Sequence, residues 1–559
     1  MMVGRNLLQW TASAALALLW IACGPVAAPA PAPPAETGAA PEPPAHPQPG
    51  RGGVLAYASS TDPVSLHPFQ AATAGARRAV GPIYDLLLTY RYEPGLDYTI
   101  DYAAVPNGLA ARWEQTDTTT YLFHLRDGVR WQDGVDFTAD DVVFTLEFAR
   151  DPKTAWPNRG RLGAIQAVEK VDSRTVRLTT RGPAPALLQN LADPNSMIVP
   201  KHVVDRGDDL AKVAIGTGPF KHKSFDAASK GVLVRHDAYW QQGKPYLDGI
   251  EVYYNLDAST RLAGFTARRF DIWSEPDKAQ TDAILKLLPD VLVERVLPSY
   301  GEALIMQLTR PPYSDIRVRR ALHLGVDRQG IIKTATHGEG MANPPGMPGK
   351  KEGWSIPQAE LLKLPGYRQP KDQDIAEAKR LLAEAGYPGG FSTVVTYDST
   401  RPLEPKIVEA FASSLRSIGV NMELRGRPRA EAAKDLTDGN FETAFDLTAD
   451  DNLPARQRAY LHSTGSQNRF GLQDAVLDGL LDRLAVTIDV AEQKRLALEM
   501  QRHLLEQLYL IPTVEGPGFK LRQPWVHGFV PHVSIAPFID SAQAPSVWLD
   551  VEKMPPDRR

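Results

Sequence analysis

The carboxylates of most chemical interest lie in the run FETAFDLTADDNLPARQRAYL, where Asp446, Asp450 and Asp451 stand close together ahead of Pro454. Such a group can neutralise a cation or exchange a proton, and it can equally cap the helix that starts after the proline. The pairs Asp140-Asp141 and Asp208-Asp209 are accounted for by a helix first turn and a solvated turn. Histidines are scattered, and none pairs with another at i, i+3 or i, i+4; His222, His236 and His337 fall in loops. GTGPF (216–220) has the glycines of a phosphate cradle, but Pro219 removes an N–H and no Lys-Ser/Thr pair follows. There is no G-x-S-x-G elbow, H-E-x-x-H, Walker loop or dinucleotide fingerprint. The expectation is no catalytic residue, no metal and no cofactor. Three aromatics are pocket candidates: Tyr397 at a strand end, Trp273 in FDIWSEP, and Trp354 in a Gly/Pro-rich run. Each also suits core packing.

The elements around these residues read most clearly from Asn107 to Phe148. Tyr121, Phe123 and Leu125 alternate with Leu122, His124 and Arg126, the period of a strand with one apolar face. Asp127-Gly128 and Asp133-Gly134 supply turns. Thr138, followed three residues later by Asp141, forms a capping box for a helix whose apolar positions include Val142, Leu146 and Ala149. These residues serve turns, a cap and packing.

Length and composition set wider limits. A chain of 559 residues exceeds one ordinary core and implies two or three lobes. Its net charge of −4 argues against nucleic acid as a partner. The single cysteine, Cys23, rules out a disulfide framework and a cysteine zinc site. It ends the run MMVGRNLLQWTASAALALLWIAC, which has a basic head and an apolar stretch too short for a comfortable membrane span. Small residues before a cysteine in that place resemble a lipoprotein signal: 1–22 would be removed and Cys23 lipidated. Residues 23–50, rich in Pro and Ala, form an extended tether.

Further along, residues 81–93 read as an apolar helix passing into a strand, and Asp315 as the N-cap of a helix bearing Val318, Leu322 and Val326. Residues 341–370 read as a long surface loop. STVVTY, the helix from Ile407 to Ile418 closed by Gly419, and VNMEL form a strand–helix–strand unit with parallel pairing.

The run TYLFHLRDGVRWQDGVDFTADDVVFTLEFA, with AARWE before it, resembles the signature region of the family 5 extracellular solute-binding proteins, receptors of bacterial ABC importers. STDPVSLHPF, HDAYWQQGKPYLDGIEV and RPPYSDIRVRRALHLGVDR resemble further parts of the same family. The resemblance implies an α/β, periplasmic-binding-protein-like two-lobe fold with an extra α/β subdomain inserted in lobe one, giving three domains and a hinged cleft. Lobe I would take 51–85, 195–300 and 511–550, the extra subdomain 86–194, and the other lobe 301–510. It implies a monomeric receptor for a small peptide or peptide-like solute, working with permease and ATPase subunits. The protein would be exported to the periplasm or cell surface and would touch membrane through a lipid anchor only. An acidic residue would meet the peptide amine, with Asp451 the best match and Asp450 and Asp446 alternates. An exported hydrolase using the same cleft, or a module presenting solutes to a sensor, are the competing readings.

Overall fold

The computed structural model describes residues 48–59, 63, 65–70, 74–90, 108–154, 156–226, 229–273, 276–296, 301–348, 353–401, 403–449, 453–530 and 541–559. Residues 1–47, which hold Cys23 and the expected signal and most of the expected tether, and the pair Asp450 and Asp451 lie outside them. From Pro49 to Arg559 the chain is one compact unit by its contacts. Three principal sheets divide it.

The first sheet has seven strands, in spatial order Leu292–Val296, Gly518–Arg522, Ile272–Trp273, Val54–Ala58, Gly249–Tyr253, Lys230–Arg235 and Phe220–Asp226. Its core holds Leu55, Tyr57, Ile250 and Val252 and draws in Met554 from the far end of the chain. Val54–Ala58 runs parallel to Gly249–Tyr253, and the flanking hairpin is antiparallel.

The second sheet has five strands: Val420–Arg427, Phe391–Asp398, Thr443–Ala449, Gly301–Met306 and Leu510–Pro512. The expected strand–helix–strand unit is present. Phe391–Asp398 pairs in parallel with Val420–Arg427, and the helix Glu404–Leu415 lies between them in sequence. Ile407, Val408, Phe411 and Leu415 of that helix are buried against the sheet, and a 3-10 turn ends it at Gly419 with φ 83°. Asp315 caps its helix by accepting from the Arg317 N–H at 2.8 Å.

The third sheet is small and antiparallel, ordered Ala110–Gln115, Thr120–Leu125, Thr175–Thr180 and Ile165–Asp172. Tyr121, Phe123 and Leu125 are buried while Thr120, Leu122 and His124 are less so, as their alternation requires. Gly128 and Gly134 adopt φ of 71° and 92° in the two turns. The helix Ala139–Arg150 carries the full capping box, with the Thr138 N–H donating to Asp141 Oδ2 at 2.9 Å.

Several expectations are altered. Of the expected helix and strand over 81–93, residues 81–90 form turns and bends, with Leu86 bridged to Met197, because Pro82 stops the helix Ala74–Val80 soon after it starts, and 91–93 lie outside the described residues. GTGPF packs directly on this segment. A Cβ at Gly216 or Gly218 would collide with the Ile83 carbonyl, so the glycines permit a close approach of two backbones. Ile198, Val199, Val203 and Leu210, assigned to lobe I by sequence, pack with the small sheet, where Thr145 Oγ1 donates to the Val199 carbonyl at 3.2 Å. The stretch 341–370 is not all surface. Met347, Ile356 and Tyr367 are buried within it, and Gln501 holds it by accepting from the Ile356 N–H at 3.0 Å.

Candidate functional site

The chain passes from the second large sheet to the first along a narrow ribbon, residues 513–517. Val296 pairs with Gly518 at the edge of the first sheet. Ala303 pairs with Pro512 in the second, and the Thr513 N–H donates to the Glu302 carbonyl at 3.2 Å. A Cβ at Gly516 would stand 2.6 Å from Leu403 Cδ2, so the ribbon runs tightly against the start of the helix Glu404–Leu415. A short crossing of this kind lets two packed lobes turn by changing few backbone angles.

The second sheet presents the carboxyl ends of Phe391–Asp398, Val420–Arg427 and Thr443–Ala449 at one edge, beside the start of Gly301–Met306. In α/β sheets ligands collect outside the carboxyl ends of strands. At this edge Arg401 meets the carboxylates of Glu302, Glu404 at 3.4 Å and Asp398 at 3.8 Å. Asp398 is anchored by the loop itself, accepting from the Thr400 N–H at 2.9 Å, and its own N–H donates to Glu404 Oε1 at 2.9 Å. Burial pushes the Glu302 carboxyl up, with Arg401 opposing. Burial and then the Glu302 charge push Glu404 up to about 8. The edge thus gathers three acidic side chains around one guanidinium, with Glu404 holding its proton to higher pH than a free carboxyl.

The first sheet ends in a cationic group. Ser59, just past Val54–Ala58, accepts from Arg78 Nη1 at 2.7 Å, and both residues are buried. Neighbouring Arg77 donates to Asn195 Oδ1 at 3.5 Å, Asn195 donates to Asp193 at 2.6 Å, and Asp193 also pairs with Arg161. Burial lowers the Arg77 pKa; Asp193 opposes this, while Arg78, Arg161 and Arg429 add to it. Arg429 begins the helix after strand Val420–Arg427 of the second sheet.

The residues expected from sequence are dispersed. Tyr397 is half-buried at the second-sheet edge, opposite Gly426. Asp446 lies on the neighbouring strand, where one oxygen takes the Tyr460 hydroxyl and the other the Leu447 N–H at 2.8 Å, with Arg469 4.0 Å away. Trp273 is buried in the first lobe against Phe265, ring centroids 6.1 Å apart, which is a packing position. Trp354 is buried in the same core cluster as Met500 and Leu504, with its carbonyl accepting from Gln501 at 2.6 Å. Glu302, Arg401 and Glu404 were missed by sequence reading. Their only signal is DSTRPLEP, acidic residues around one arginine just before a helix, and Glu302 is separated from it by about a hundred residues. Asp85, also missed, is fully buried and accepts from Thr217 at 3.1 Å and Trp240 at 2.9 Å. Burial raises its pKa to about 6, and those bonds oppose the rise; it knits the small sheet to the first. Among the described residues no group of three or more His, Cys, Asp or Glu is placed to hold a metal ion, and no helix is long and apolar enough to cross a membrane.

Comparison with known proteins agrees with this architecture. The family model for bacterial extracellular solute-binding proteins, family 5 (middle), matches residues 104–470. The periplasmic oligopeptide-binding protein OppA of Escherichia coli is 26% identical over 76% of this chain and 81% of its own. The probable deoxycholate-binding periplasmic protein YgiS of the same organism is 29% identical over 86% of this chain and 91% of its own. Among solved structures, AgaA of A. tumefaciens R10, in complex with agropinic acid, superposes with a TM-score of 0.72 at 25% identity, covering 89% of this chain and 99% of that one.

Proposed function

The chain belongs to the bacterial extracellular solute-binding proteins of family 5, and on that premise we propose that it captures a peptide or peptide-like solute in a closing cleft and delivers it to an ABC import permease and its ATPase. The observation that carries this reading is the pair of large sheets joined by the ribbon 513–517, with charged groups gathered at the second-sheet edge. Closure between such lobes is selected when the solute makes contacts that the open form lacks.

The named solutes of the relatives differ, including oligopeptides, deoxycholate and agropinic acid. The peptide reading is supported by the oligopeptide-binding relative and by a site edge with an excess of acidic groups, which suits a solute amine. Asp451 or Asp450 would add the amine partner at the end of strand Thr443–Ala449. The protein acts by binding rather than turnover. It works outside the cytoplasm as a monomer, held to the membrane by lipid on Cys23.

Thermal denaturation against a panel of peptides, sugars, opines and metal chelates tests the reading. A true solute at a hundred times its Kd adds about 2.7 kcal/mol of stability, and small-angle scattering should show a more compact particle with the same compound. A panel in which only non-peptides act would overturn the peptide assignment. A panel that leaves both measurements unchanged would overturn the receptor assignment.

A further inference from the structure

Ion pairs lie beside the crossing ribbon and join the two lobes in both directions. From the first-lobe side, Arg295, one residue before the strand end at Val296, reaches Glu339 at 3.4 Å and also donates to its carbonyl. Lys278, at the start of the helix Lys278–Leu287, reaches the same Glu339 carboxylate at 3.7 Å while also pairing with Asp282 at 2.6 Å. Glu339 belongs to the other lobe. It follows the helix Arg328–Ala335 and precedes Met341–Ala342, which pairs with Val514–Glu515 on the ribbon itself. The complementary contact runs the opposite way: Lys406 of the helix Glu404–Leu415 stands 3.8 Å from Asp277, the cap of the first-lobe helix. Each lobe thus offers one anion and at least one cation to the other, close to the segment 513–517, whose bending would change those distances.

We propose that this reciprocal set, Arg295 and Lys278 with Glu339 and Asp277 with Lys406, is an ionic latch that holds the interlobe angle and makes it respond to ionic strength. All five side chains are 26–50% exposed, so the pairs are screened by salt and are individually weak. Each would bias the ratio of this arrangement to others by about 1.4- to 5-fold. That is enough to tune a hinge equilibrium and too little to lock it. The latch rests on the lobes being mobile, as the receptor reading requires, but not on which solute they hold.

The test is solution scattering of the ligand-free full chain and of the double variant Glu339→Gln, Lys406→Gln. Both are measured at about 0.01 M salt, where charges act over about 30 Å, and at about 1 M, where the range is about 3 Å. The latch predicts that the wild-type profile changes with salt, that the double variant at low salt already matches wild type at high salt, and that the population in the wild-type low-salt arrangement falls at least twofold. Superimposable wild-type and variant profiles at both salts, or a variant that responds to salt as strongly as wild type, would overturn it. Each single variant, which leaves one side of the set intact, should shift the profile part of the way if the double variant folds poorly. Because no solute is added, failure here is separate from failure of the peptide assignment.

Discussion

Arg558, the penultimate residue, grips the carboxylate of Asp271 with both terminal nitrogens, at 2.8 and 2.9 Å. Asp271 is fully buried and also accepts from the Ala56 N–H at 2.7 Å and the Trp525 indole at 2.8 Å. Asp271 therefore ties Arg558 to the strand Val54–Ala58 of the first sheet. Arg558 extends the fork onto the carbonyl oxygens of Arg268 and Val54.

Arg558→Ala leaves a buried carboxylate without its charge partner. Loss of one member of a buried pair costs about 3–5 kcal/mol, and chemical denaturation should show a loss near the lower end because two N–H donors remain. A loss below about 0.5 kcal/mol would mean that Asp271 is satisfied without the C-terminus.

Arg328 occupies a second buried position, donating to the carbonyls of Pro512 at 3.0 Å and Gly366 at 2.7 Å and lying over the Tyr367 ring at 4.2 Å. Its Nη2 donates to His323 Nδ1 at 3.2 Å, so the His323 proton sits on Nε2, which donates to the Pro365 carbonyl at 3.1 Å. Burial, and then the Arg328 charge, hold the His323 pKa well below its ordinary value. Arg328→Lys keeps the charge but loses the fork, and we expect a loss of about 3 kcal/mol by equilibrium unfolding, within the range for broken buried networks. An unfolding midpoint equal to wild type would count against the network.

Stability should also depend on pH through Glu404. A carboxyl raised from 4.5 to about 8 by burial and by Glu302 binds its proton more tightly folded than unfolded. Its contribution is full below about pH 4.5 and is lost as pH rises towards 8, at about 1.4 kcal/mol for each unit of raised pKa. Glu404→Gln keeps the acceptor for the Asp398 N–H and removes the titration. The variant should therefore lose much of the fall in unfolding free energy between pH 5 and 8. An unchanged slope would place the proton elsewhere.

Gly516→Ala should disturb the crossing. The added carbon would meet Leu403 at 2.6 Å and Thr336 at 2.9 Å, and overpacking of this kind costs about 1–3 kcal/mol. The expected signature is a lower melting temperature together with a changed scattering profile of the ligand-free protein. A destabilised variant with an unchanged profile would show strain that does not reach the lobes.

For the solute itself, Asp451→Asn should weaken peptides with a free amine by about tenfold while sparing their N-acetylated forms, as removal of a charge partner requires. Calorimetry with both forms decides it. Equal affinity of the unmodified protein for both would remove Asp451 from the amine site.

The sequence by itself determined the local elements and the family. The Thr138–Asp141 capping box, the alternation at Tyr121–Leu125 and the cap at Asp315 depend on residues within a turn of one another, and each stands as its spacing required. The family resemblance rests on the same dense local pattern. What only the tertiary structure decided is which distant side chains share an edge. Glu302 reaches Arg401 because two strands far apart in sequence lie in one sheet, and Arg558 reaches Asp271 because residues nearly three hundred positions apart pack on one another. Periodicity reports which face of an element is buried and is silent on what another element brings to it. For that reason Trp273 and Trp354 read equally well as pocket or core, and only packing placed them in the core. For Asp446 the fold likewise supplied a partner that its neighbours in sequence do not show, the Tyr460 hydroxyl.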